Sequence, residues 1–107
     1  MDDAGYGAAV SVVLKKLVKA VDAADPDVVE CDATADMVTI TATKTGEKVI
    51  VNTQRAVHQL WVAGKGAGVH FSIGADGRWL DDKQKGLEIV AWVAECVESA
   101  SGVKLAF

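Results

Sequence analysis

The sequence has few of the residues and segments that would place it outside the ordinary globular proteins. It contains one proline, two cysteines and no apolar run close to the roughly 20 residues that a membrane-spanning helix needs. No Ser/Gly-rich stretch interrupts the chain, so a disordered linker is not expected. Cys31 and Cys96 lie far apart and form no CxxC pair, which favours two free thiols in a reducing compartment over a structural disulfide.

Positive charge is also scarce. The formal net charge is −4 and the pI is near 5.0, which is the wrong sign for binding a phosphate backbone. The opening residues, Met1-Asp2-Asp3, lack the basic start of a secretory signal and the arginines of an organellar transit peptide. We therefore expect a cytoplasmic protein that binds neither nucleic acid nor membrane. The alternative location is the mitochondrial matrix after removal of a leader.

Half of the residues are apolar, and they follow two periodicities. Spacings of three and four from Tyr6 to Val21, and again from Leu87 to Val97, predict an amphipathic helix near each end. Between them, alternating apolar and polar residues predict short strands at 28–34, 37–43, 48–51, 57–63, 69–73 and 78–80. Hairpin-length connections make neighbouring strands antiparallel, and two one-sided helices can cover only one sheet face.

The predicted fold class is therefore α+β, as a single domain over residues 1–107. It is a two-layer sandwich in which the N- and C-terminal helices pack on one face of a mainly antiparallel sheet of about six strands. The other sheet face, lined in part by threonines, is expected to meet water.

The strongest compositional signal is an acidic run after the first helix. Six carboxylates fall within residues 22–36 with no lysine or arginine among them: Asp22, Asp25, Asp27, Glu30, Asp32 and Asp36. Clustered carboxylates raise the local negative potential, and hard cations relieve their mutual repulsion. The spacing is not that of an EF-hand, so we expect weak, exchangeable cation binding. Asp3, at the start of the same helix, joins the candidate ligands, and the competing interpretation is a merely solvated acidic rim.

A second signal combines amides with a tryptophan: Asn52, Gln54, Gln59 and Trp61. Strand alternation places Gln59 and Trp61 together on the sheet face that the helices leave open. Tryptophan is frequent among interface hot spots, so an exposed tryptophan beside amides predicts a surface for contact with a partner protein. The alternative is that neighbouring side chains partly bury Trp61.

One block resembles the signature of the bacterial-type frataxin family: NTQRAVHQLWVA at residues 52–63, followed by GVHF at residues 68–71. The order of helices and strands and the acidic first third fit this family over essentially the whole chain. The resemblance implies a protein of iron–sulfur cluster assembly that binds Fe²⁺ and Fe³⁺ weakly, contacts the cysteine desulfurase and the scaffold protein, and possesses an iron-binding ridge and a docking face. Carried over by position, the ridge comprises Asp22, Asp25, Asp27, Glu30 and Asp32, and the docking face comprises Asn52, Gln54, Gln59 and Trp61.

Two features depart from the family pattern. Lys15, Lys16 and Lys19 occupy the first helix, where the family usually has more acids, so iron is expected to bind nearer the loop and the first strand. Ala56 replaces the proline of the signature.

The two histidines have no metal-ligand spacing. His58 shares the strand parity of Leu60 and is expected at the edge of the core, whereas His70 should point to the open face. We expect structural or surface roles for both, with an auxiliary iron contact through His70 as the alternative.

The predicted function is that of a binding and adaptor protein, not an enzyme. A ferroxidase is the first alternative, but the chain has only two helices and no Glu-x-x-His motif of the kind that di-iron helical bundles use. A protein-interaction domain indifferent to metal is the second. We expect a monomer, with iron-dependent oligomerisation as the alternative.

Overall fold

The computed structural model describes residues 1–83 and 85–107, which form two helices and one six-stranded sheet. Helix α1 spans Asp3–Asp22 and helix α2 spans Ile89–Ser101. A 3₁₀ turn, Arg55–Val57, lies between the third and fourth strands. The strands are β1 (Val29–Ala33), β2 (Met37–Ala42), β3 (Lys48–Gln54), β4 (Gln59–Gly64), β5 (Ala67–Ile73) and β6 (Trp79–Asp81). No helix in these two ranges is long and apolar enough to cross a membrane.

Every strand pairs antiparallel with the next one along the chain, so the order in the sheet follows the sequence. Both helices pack on one face, where their apolar stripes meet alternate strand residues in a single core. The strand residues buried there are Val29, Val38, Ile40, Ala42, Val49, Val51, Leu60, Val62, Phe71 and Trp79. The predicted two-layer α+β sandwich is confirmed. We call the face away from the helices the open face.

Each helix begins after an acidic residue whose side chain accepts hydrogen bonds from backbone amides of the first turn. Asp2 caps α1 by accepting a hydrogen bond from the Gly5 amide at 2.7 Å. The helix stops at Asp22, before the Asp25-Pro26 pair that disfavours helical geometry. Glu88 caps α2 by accepting hydrogen bonds from the amides of Val90 and Ala91 at 3.0 and 3.1 Å, so Leu87 lies outside the helix, contrary to the prediction.

The segment between β3 and β4 differs most from the prediction. Strand β3 extends to Gln54, because Asn52 pairs with strand residues on both sides. The predicted strand start at residue 57 is wrong, since the 3₁₀ turn and His58, whose φ is 52°, intervene before β4. His58 nevertheless lies at the edge of the core as expected, because its ring stacks on Tyr6 with centroids 5.0 Å apart.

Candidate functional site

Five of the six carboxylates of the acidic run form one edge of the molecule, which we call the acidic edge: Asp22, Asp25, Asp27, Glu30 and Asp32. Asp22 ends α1, and the next two lie in the turn that follows it. That turn is held by Asp25, whose carboxylate accepts a hydrogen bond from the Asp27 amide at 2.9 Å. Glu30 and Asp32 alternate with core-facing residues of β1, so both lie on the open face of the outermost strand.

All five side chains of the acidic edge are exposed, and within the described residues none of them forms an ion pair. Asp36 differs, because its carboxylate accepts from Arg55 Nε at 3.0 Å and pairs with the same guanidinium a second time. The acidic run therefore divides into one structural carboxylate and five that remain available to a cation.

The electrostatics of the acidic edge favour a cation. Asp22 lies at the C-terminal end of α1, where the helix dipole is also negative and Lys19 is the basic residue of the last turn. Burial raises the pKa of the nearby Cys31 thiol, and the charges of Asp22 and Asp32 raise it further. Asp22, Glu30 and Cys31 also line one shallow cavity of about 350 Å³.

The acidic edge is not a preformed metal cage. Among residues 1–83 and 85–107, no three His, Cys, Asp or Glu side chains converge closely enough to hold a metal ion. Carboxylate oxygens are the ligands that hard cations prefer, and exposed side chains can move to meet one. This donor set fits an ion that keeps most of its water and exchanges readily.

Two of the predicted ligands lie elsewhere. Asp3 is at the other end of α1, about 28 Å from Asp22 at 1.5 Å per helical residue. Its Oδ1 lies 2.8 Å from His58 Nε2. His70 is on β5, four strand spacings or about 19 Å from β1. Neither residue can share an ion with the acidic edge, so the structure brings together five of the seven candidate ligands.

The four predicted docking residues all lie on the open face, in two directly opposed cross-strand pairs. Asn52 of β3 faces Trp61 of β4, and Gln54 faces Gln59. Gln59 Nε2 also donates to Ser72 Oγ on β5 at 3.0 Å. Three neighbouring strands thus present one surface of amides, a hydroxyl and an indole.

Trp61 is half-buried, as the alternative interpretation predicted. Its indole lies across Gly68 of β5, where a Cβ added to the glycine would come within 2.7 Å of Nε1. The His70 ring stands beside it, with centroids 6.5 Å apart. The sequence analysis missed the role of Gly68, although a glycine diagonal to an aromatic residue on the neighbouring strand is a recognisable cross-strand signal.

Tyr6 supports the docking surface from the core side. Its hydroxyl donates to the Gln59 carbonyl at 2.6 Å and accepts from the Gln54 amide at 3.3 Å. Burial raises the pKa of this tyrosine, so the hydroxyl keeps its proton and remains a donor. The helix spacing predicted that Tyr6 is buried, but its polar contacts depend on the fold and had no signal in the sequence.

Comparison with known proteins identifies a family profile, related sequences and a solved structure that are similar to this chain. A family profile described as a frataxin-like domain matches residues 1–102. The chain is 32% identical over 105 residues to the iron-sulfur cluster assembly protein CyaY of Tolumonas auensis, covering 98% of this chain and 97% of that one. It is 34% identical over 88 residues to CyaY of Shewanella baltica, covering 82% and 77%. The solved structure of frataxin from Psychromonas ingrahamii has the same fold, with a TM-score of 0.86, 22% identity and coverage of 98% and 96%.

Proposed function

The chain belongs to the frataxin-like family, and on that premise we propose that it acts in iron–sulfur cluster assembly as an iron-binding adaptor. In this proposal, ferrous and ferric iron bind weakly at the acidic edge. The open face docks on the complex of cysteine desulfurase and scaffold protein, and the bound iron is available for donation.

One observation carries the proposal: two carboxylates of the acidic edge, Glu30 and Asp32, lie on the same sheet face as the docking surface. Asp32 on β1 lies opposite Thr39 on β2, which lies opposite Ile50 on β3, so the acids continue into the face that bears Asn52 and Trp61. A cation at Glu30 and Asp32 changes the potential that a partner meets on this face. Iron can therefore tune docking through charge, without a conformational change.

The metal part of the proposal is tested by removing charge from the acidic edge alone. We expect the variant Asp25→Asn, Asp27→Asn, Glu30→Gln, Asp32→Asn to fold normally and to lose most iron-induced line broadening in an anaerobic NMR titration. A matched control removes four charges elsewhere on the surface: Glu47→Gln, Asp76→Asn, Asp82→Asn and Glu98→Gln. If iron broadens the NMR signals of both variants as it does those of the parent, or if both variants lose this broadening equally, iron is not bound at the acidic edge.

The docking part is tested with Trp61→Ala in a pull-down with purified cysteine desulfurase and scaffold protein. Truncating a hot-spot aromatic costs about 2 kcal/mol or more, so binding should weaken at least about 30-fold. Val57→Ala, which shortens an exposed side chain in the 3₁₀ turn, serves as the control. Capture of the Trp61 variant at the parent level would remove the open face from the proposal.

We propose binding and not turnover as the role of the metal. Exposed carboxylates that share no preformed ligand shell offer no fixed geometry in which to oxidise an ion repeatedly. His58, which was expected to have a structural or surface role, contacts Asp3 and Tyr6. Oxygen consumption measured at low iron-to-protein ratios discriminates the two roles, because a ferroxidase would show multiple turnovers that depend on the acidic edge.

A further inference from the structure

A groove lies on the helical side of the molecule, away from the open face. It runs between α1, the turn that joins β5 to β6, and the start of α2, and it encloses about 720 Å³. Ile73, Trp79 and Val90 supply apolar surface. Val12 stands on its α1 wall and is 70% exposed, more than the other large apolar side chains in the helices and strands. An exposed apolar side chain beside an apolar groove is a feature of interaction sites.

Two of the three charged side chains that line this groove, Lys16 and Arg78, are positive. Lys16 and Arg78 are exposed, line the groove and form no ion pair within the described part of the chain. Lys19 follows on the same stripe of α1, because positions 12, 16 and 19 share one helix face. The carboxylate of Glu88, which also lines the groove, is engaged in capping α2. Asp76 accepts from the Arg78 backbone amide at 3.0 Å and is held in its own turn.

We infer that this groove is a second docking site, and that its occupant is an acidic segment of a partner protein that carries an apolar anchor. An aliphatic or aromatic side chain would fill the space between Val12 and Val90. Carboxylates flanking that anchor would meet Lys16 and Arg78. This site also explains why α1 carries lysines on its outward face while the acids of the chain gather at the acidic edge.

Two other occupants fit the groove less well. An anionic membrane fits less well because a concave groove accepts a side chain but inserts none into lipid. In the acidic run of a second copy Val29 is buried, Val28 is half-buried, and no aromatic or long aliphatic residue is exposed. Met1 beside Asp2 and Asp3, and Met37 beside Asp36, are exposed, but those carboxylates already contact Gly5, His58 and Arg55.

The test uses a phage-displayed library of random peptides, panned on the intact protein, with the selected sequences then synthesised and titrated. We expect enriched peptides that combine Asp or Glu with Leu, Ile, Phe or Trp, and NMR shifts centred on Val12, Lys16 and Val90. The double variant Lys16→Glu, Arg78→Glu should weaken binding by about tenfold or more, because each contact becomes a like-charge pair. The double variant Lys44→Glu, Lys104→Glu makes the same charge change elsewhere and should leave the affinity unchanged.

Val12→Glu should also abolish binding, and Val12→Ser provides a milder change if the glutamate disturbs folding. Three outcomes would overturn the inference. The enriched peptides would lack acids, their NMR shifts would be confined to the open face, or the control variant would weaken peptide binding equally. Binding to vesicles of phosphatidylglycerol and phosphatidylcholine that Val12→Glu removes would also overturn it. Sedimentation tests the second copy. If the protein self-associates with rising concentration and Val12→Glu removes this association, the groove binds a second copy and the inference is overturned.

Discussion

Replacing Gly68 by alanine tests how Trp61 is held on the open face. The new Cβ would lie 2.7 Å from Nε1, 2.8 Å from Cζ2 and 2.9 Å from Cε2 of the indole. Favourable contacts between heavy atoms lie at about 3.5–4.0 Å, so the indole must move away by about 0.8 Å or more, or rotate off the strand. The β5 backbone cannot yield as easily, because Gly68 pairs with Ala63 in the sheet.

The expected cost is the balance of two effects. Overpacking costs about 1–3 kcal/mol. Gly68 has no positive φ, so alanine fits its backbone and gains about 0.4–1 kcal/mol by restricting the unfolded chain. The net loss in the free energy of unfolding is therefore between about 0 and 2.6 kcal/mol. In a Trp61→Ala background the overpacking disappears, and Gly68→Ala should be neutral or stabilising.

The measurement is a double-mutant cycle from urea unfolding, followed by far-UV circular dichroism. We expect a coupling of about 1–3 kcal/mol between the two positions. We also expect Gly68→Ala alone to weaken desulfurase binding, because it displaces the indole without removing it. Effects that add to within about 0.5 kcal/mol would show that the indole does not rest on Gly68, and would refute the reasoning.

Three further predictions concern groups that the fold buries. Tyr6→Phe removes two hydrogen bonds to the facing ends of β3 and β4, so urea unfolding should show a loss of about 1–3 kcal/mol. The pKa of Asp81 is lowered by the backbone amide of Lys85 and other loop amides, so the charged carboxylate stabilises the protein above pH 3.8. The difference in the free energy of unfolding between the parent and Asp81→Asn should therefore shrink as the pH falls below that value. Burial raises the pKa of Cys96 to about 11, so a thiol reagent at neutral pH should modify Cys31 and reach Cys96 only on unfolding. Equal modification of both thiols in the native protein would contradict the last expectation.

Periodicity was sufficient to predict the layers of the fold. The helix spacing of Tyr6 to Val21 and the alternation within β2 and β5 each bury one side of an element, so they specify which face meets the core. The region from Asn52 to His58 was predicted less well. Its strand extension depends on hydrogen bonds to β2 and β4, and its left-handed residue is supported by Tyr6 and Asp3, which are distant in sequence.

The composition of the acidic run and the docking motif indicated the residue types of the candidate site. The sequence by itself determined that carboxylates are concentrated after α1 and that amides alternate with Trp61, because these are local properties of neighbouring residues. Only the tertiary structure decided which of them act together. The strand register places Glu30 and Asp32 on the open face, and the length of α1 keeps Asp3 far from them. Asp36 is engaged in an ion pair with Arg55. Distances between residues far apart in sequence are set by packing, and local pattern does not encode them.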